Sequence, residues 1–180
     1  MFIIIGIIVA VLFIILIWFI SASNRLNRTV VKIEEADSGI DVALTKRYDV
    51  LTKMIDVVKS YAKHEKETMF EVIELRKGMT TVEKTEANNK MNANMEKINV
   101  LAENYPELKS SENFNTLQKS IADTEEHLQA ARRMYNSNVS ALNQMIVSFP
   151  ISIVASSKGL TKKDFFEAEE AKKEDVKIDL

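Results

Sequence analysis

Residues 114–149 read FNTLQKSIADTEEHLQAARRMYNSNVSALNQMIVSF. Phe114, Leu117, Ile121, Thr124, Leu128, Ala131, Tyr135, Asn138, Leu142, Met145 and Phe149 recur in alternating steps of three and four. Nine of these eleven positions are apolar, which makes the row a heptad seam along one helix face. A seam this regular predicts knobs-into-holes packing against an antiparallel neighbour and reads as core, not as a cofactor-binding box. Asn138, polar within the seam, is expected to fix register. Pro150 ends the helix.

Upstream, Ile33, Ala36, Ile40, Leu44, Tyr48, Leu51, Ile55, Val58 and Ala62 keep helical spacing, and that helix is expected to end at Arg76-Lys77-Gly78. Thr80-Thr81-Val82-Glu83 has the form of a capping box. The helix it opens runs through Met91, Met95, Ile98 and Leu101 to Tyr105-Pro106. Its middle, Asn88 to Asn94, is rich in asparagine, a poor helix former, and is expected to be the least stable element. A continuous helix from about 24 to 78 gives three long helices. A break near 49–53 or 61–66 gives four, and the unbroken period favours few breaks.

At the other end, Met1 to Ile20 reads MFIIIGIIVAVLFIILIWFI, with no charged side chain. Twenty helical residues at about 1.5 Å each span about 30 Å, one hydrocarbon core. Phe2 and Ile20 bound the expected span. A cleaved signal peptide, cut near Ser21-Ala22-Ser23, is the competing reading, but the run lacks a basic start and is too long. Arg25, Arg28 and Lys32 follow the span and assign that side to the cytoplasm, with Met1 outside.

Composition narrows the function classes. Four glycines and two prolines in 180 residues are too few for an all-β sandwich or barrel. With no cysteine there is no disulfide framework or thiolate metal site. A net charge of −2 gives no support for nucleic-acid binding by bulk electrostatics. Four scattered glycines build no phosphate loop. His64 and His127 follow Tyr61 and Thr124 at the third position back, so neither belongs to a di-iron Glu-x-x-His motif. Asp123 and His127 read as a surface pair, and Arg132-Arg133 as a solvated flank. No catalytic residue, cofactor, metal or small-molecule substrate is expected.

Several strings, in order and spacing, resemble the LemA family of bacterial membrane proteins. They are Glu35-Ala36 with Ile40-Asp41-Val42; Lys46-Arg47-Tyr48-Asp49; Val58 to Glu65; Glu103 to Lys109; Glu112-Asn113-Phe114 with Leu117-Gln118; Ala131 to Asn136; Ser148-Phe149-Pro150; and Phe165-Phe166-Glu167. The resemblance implies one N-terminal span, an outward N-terminus and a cytoplasmic helical bundle. Family members commonly carry a proline shortly after Arg-Tyr-Asp. Here Leu51-Thr52-Lys53 stands in that place, so a straighter helix is expected.

The expected architecture is all-α: an anchor over 1–23, an antiparallel bundle of three to four long helices over 24–150, and a tail over 151–180. In that tail Ile151 to Ala155 is apolar, Glu167 to Asp175 reads as a short solvated helix, and Val176 to Leu180 alternates. The tail is expected to dock on the bundle or on a partner, with a flexible terminus as the alternative. The expected role is a structural or protein-interaction module in the bacterial inner membrane, with a signalling adaptor as the alternative. Its expected partners are the lipid bilayer, an unidentified protein and further copies of itself. A return helix of about 25 residues covers about 37 Å, whereas a first helix of about 55 covers about 80 Å. Ile33, Ile40 and Leu44 would then be left uncovered as an assembly face.

Overall fold

The computed structural model describes residues 1–62 and 70–166. His64, the charge run Glu167 to Asp175 and the alternating Val176 to Leu180 lie outside the described residues. Among those described there are five helices and no strand: α1 (Phe2–Tyr61), α2 (Thr81–Asn104), α3 (Pro106–Lys109), α4 (Glu112–Val147) and α5 (Ile151–Ser157). The long helices reflect the scarcity of turn formers. α1 passes Leu51-Thr52-Lys53 without a break. The chain groups into two compact units, Met1–Asp37 with Met134–Phe165, and Ser38–Arg133 with the stretch from Phe166.

In the unit built around Ser38–Arg133, α4 lies antiparallel to α1: Gly39 faces Ala131, and Arg47 meets Glu125. α2 runs the other way. Asp41 pairs with Lys84 and Arg47 with Asn88 and Asn92, so both numbers rise together and α2 is parallel to α1. The expected return helix is therefore not α2. The chain comes back instead as a non-helical strap over Phe70–Thr80, which runs antiparallel to α2: Glu71 meets Asn94 and Lys97, whereas Arg76 meets Glu83.

Arg76-Lys77-Gly78 thus ends no helix, since α1 stops at Tyr61. The cause is local. The Asn94 amide accepts from the Glu71 N–H at 2.8 Å and donates to the Glu71 carbonyl at 3.0 Å, occupying both backbone groups a helix would use. Gly78, at φ 80°, makes the turn into α2. The capping box forms as its sequence implies: Thr80 Oγ1 accepts from the Glu83 N–H, and Glu83 Oε2 accepts from the Thr80 N–H at 2.7 Å.

In the unit holding Met1–Asp37, side chains of the apolar run point outward, and burial begins at Ala22 and Leu26. Ile33 and Ala36 continue that buried face of α1, and Tyr135, Val139, Leu142 and Met145 form the buried face of α4 in the same unit. The Asn138 amide donates to the Lys32 carbonyl at 3.1 Å, which sets the antiparallel level. The segment after α5 is held along α4: Asn143 exchanges two hydrogen bonds with the Lys163 backbone, and the Tyr135 hydroxyl donates to the Asp164 carbonyl.

Of the seam positions, Phe114, Ile121, Thr124, Leu128, Tyr135, Leu142 and Met145 are buried, while Leu117 and Ala131 are half-buried. Two depart from expectation. Val139 takes the buried place expected of Asn138, because the face of a 3.6-residue helix drifts from a strict 3.5 repeat. Phe149 is 84% exposed, because α4 ends at Val147 and the following turn carries the ring outward.

The proposed assembly face is also corrected. Ile33, Ile40 and Leu44 are buried within one chain, so no uncovered stripe remains there. The length argument treated α2 as the covering helix and overlooked α4, whose 36 residues run alongside.

Two measurements check this packing. Leu128→Ala should cost about 2–5 kcal/mol by emptying a buried site, and Gln129→Lys, beside it on the exposed face, should stay within about 0.5 kcal/mol. Equal shifts of the unfolding midpoint would contradict the assigned face. The second concerns pH. The Thr80 backbone and side-chain hydrogen bonds, with help from Arg76 and against a desolvation effect, hold the Glu83 carboxyl below its ordinary 4.5. A lowered folded-state pKa adds stability that is present above the unfolded value and lost as pH falls through the folded one. The advantage of the wild-type chain over Glu83→Gln should therefore be present at neutral pH and fade below about 4.5, the ordinary value. Denaturant midpoints across pH read it directly.

Candidate functional site

The distinctive chemistry of the described residues is a polar layer inside the Ser38–Arg133 unit. On α1 one buried row runs Ile40, Leu44, Arg47, Leu51, Met54, Val58, with Ala43 buried beside it. On α2 one runs Lys84, Asn88, Met91, Asn94, Ile98, Leu101, with Ala87 and Ala102 buried beside it. Both rows step by three and four, so Arg47, Lys84, Asn88 and Asn94 occupy core positions of otherwise ordinary amphipathic helices.

Each finds a partner. Arg47, 5% exposed, donates to Asn88 Oδ1 and to Asn92 Oδ1 (2.6 Å), and its guanidinium lies 3.1 Å from Glu125 on α4. One planar cation therefore ties α1 to both other long helices. Lys84, 1% exposed, places its ammonium 2.7 Å from Asp41 of α1. Asp41 and Glu125 are themselves partly exposed, so the cations sit inside and the carboxylates at the rim. Asn94 holds the strap, as described. With both terminal nitrogens of Arg47 and the Lys84 ammonium directed at protein acceptors, such a layer specifies alignment more than it binds ligand.

The sequence-derived candidates fall elsewhere. Phe2 and Ile20 lie on the exposed apolar stretch of α1. Arg132 is not a solvated flank: its guanidinium stacks 4.6 Å from the centroid of the Phe166 ring. His127 lines a shallow groove of about 350 Å³ with Ser38, Gly39, Val42, Ala43 and Lys46. A second groove, of about 380 Å³, lies between the strap and α2 and is lined by Val72, Arg76, Met79 and Glu86, among others.

Arg47, Lys84, Asn88 and Asn94 were missed in the sequence reading. Tracing the α1 face through Tyr48 and Ile55 steps around Arg47, although a trace through Arg47 and Met54 fits the same period. In α2, polarity was taken as weakness, when its spacing of three and four was the available signal.

The LemA family profile matches residues 36–180, which include every member of the polar layer. The chain belongs to the LemA family. A curated relative, Protein LemA of Metamycoplasma hominis, is 29% identical over 163 residues, covering 88% of this chain and 74% of that protein. The family match begins after the apolar run, so the family assignment does not depend on that run.

If the layer sets alignment, its members act as a unit. Asn88→Leu alone should cost about 1–3 kcal/mol by leaving Arg47 short of an acceptor. Adding Arg47→Met should recover part of that loss, because an apolar replacement of a whole buried network is often tolerated. A double-mutant cycle on denaturant midpoints measures the coupling, and strict additivity would contradict it.

Proposed function

We propose that this LemA-family chain is a membrane-anchored, non-enzymatic interaction module that presents a helical bundle to the cytoplasm. The observation that carries the reading is the continuity of α1. An apolar window of mean hydropathy 3.5, with none of its residues buried, leads without a break into the helix that builds the packed units. A span of that length matches one hydrocarbon core.

The same helix argues against cleavage after the small residues Ser21-Ala22-Ser23. They lie within a helical turn, and Ala22 is already packed. Arg25, Arg28 and Lys32, directly after the span, support an orientation with the bundle on the cytoplasmic side. On this reading the polar layer keeps the helices in one alignment, and exposed helix faces offer the docking surface.

Full-length protein should remain in the membrane pellet through an alkaline carbonate wash. A reporter fused after Leu180 should be active only if it is of the cytoplasmic type. A soluble mature chain beginning near Asn24, or activity of an export-type reporter, would overturn the proposal.

A further inference from the structure

We infer that the elbow between α4 and α5 is a second membrane contact, an apolar wedge that rests on the lipid interface beside the point where α1 leaves the bilayer. This inference depends on the anchor reading above and adds a site to it. All the residues concerned belong to the unit built from Met1–Asp37 and Met134–Phe165.

The level of the elbow follows from one hydrogen bond. Asn138 is level with Lys32. α4 runs antiparallel to α1, so nine residues further along each helix, about 14 Å, bring Val147 beside Ser23. That is just beyond Ile20, where the apolar run ends. At this level the chain turns: α5 is bent 99° from α4, so it crosses α1 instead of following it. Val154 and Ala155 face inward and are buried. Phe149, Ile153 (58% exposed) and Val147 stand on the outside. Exposed apolar side chains on the end of α4, the turn and the crosswise α5 form the kind of apolar tip that rests on a lipid interface.

Charge points the same way. No aspartate or glutamate occurs in residues 21–33 or 134–163. Arg25, Arg28, Lys32, Lys158, Lys162 and Lys163 do occur there. Lys158 reaches Asn27 Oδ1 at 2.9 Å, which places its ammonium on the α1 flank near the span. The acidic residues of this unit, Glu34, Glu35, Asp37 and Asp164, gather toward its other end, where Tyr135 meets Asp164. Cations around an apolar tip suit an anionic lipid headgroup layer.

The absence of native cysteine makes the test direct. Full-length Phe149→Cys, Ile153→Cys and Met134→Cys are reconstituted in phosphatidylcholine–phosphatidylglycerol vesicles. Met134 is exposed in the same unit but lies farther from the span. Each thiol is challenged with a bulky aqueous maleimide. Separately, each is labelled with a fluorophore and exposed to lipid carrying a quencher near the headgroup. Phe149→Cys and Ile153→Cys should react roughly tenfold slower than Met134→Cys, as expected for side chains withdrawn from water, and should be quenched by the lipid. Equal reaction rates without lipid quenching, in protein that survives carbonate, would overturn the wedge and leave the anchor standing. Protection without lipid quenching would assign the elbow to a second copy and overturn the lipid contact. Protein released by carbonate would overturn the anchor and the wedge together.

Discussion

The buried guanidinium of Arg47 must find acceptors on two other helices at once. Asn88 and Asn92 lie one turn apart on α2, and Glu125 lies on α4. Apolar seams tolerate small slips, because one leucine can replace another against a given neighbour. A fork of directed donors does not, since moving either helix leaves a buried charge without acceptors. Lys84 and Asp41 repeat the constraint two turns away along α1. The parallel relation of α1 and α2, which a simple up-down bundle would not have, is thereby written into polar side chains.

A parallel pair needs a connection that travels back along the helices. A helix could serve, but here the return stretch over Phe70–Thr80 is non-helical, and a side-chain amide satisfies part of its backbone. Asn94 does for Glu71 what a neighbouring strand does for a residue in a sheet. This is why an asparagine-rich α2, unpromising by propensity alone, is suited to its place: Asn88 faces the guanidinium, and Asn94 faces the strap.

Long helices, the capping box at Thr80, the stop at Tyr105-Pro106 and the all-α class could be read from the chain, because each depends on local chemistry. The face of α4 was legible as far as a strict repeat follows a real helix. It missed Val139, where drift matters, and Phe149, where the helix has already ended. The direction of α2 and the end of α1 were not legible. Both depend on pairings across dozens of residues, such as Asn94 with Glu71, and periodicity holds no record of them. Arg47 was hidden by the habit of reading a cation as surface. Ile33, Ile40 and Leu44 look uncovered only when α2 is cast as their partner and α4 is left out.

The closing contacts of the unit that holds the apolar run join stretches far apart in the chain. Asn138 bonds to the carbonyl of Lys32, 106 residues earlier, and Lys158 to Asn27, 131 residues earlier. A ribosome adding about 5–20 residues per second needs about 5–20 s to make 106 residues. Throughout that interval Leu26, Ile33 and Ile40 have been synthesised, but the α4 residues that cover them have not. An N-terminal span inserted early would hold this exposed stripe at the membrane surface while it waits. The nascent chain, more than the finished one, is therefore the form in which an apolar face stands open to chaperones and to neighbouring chains.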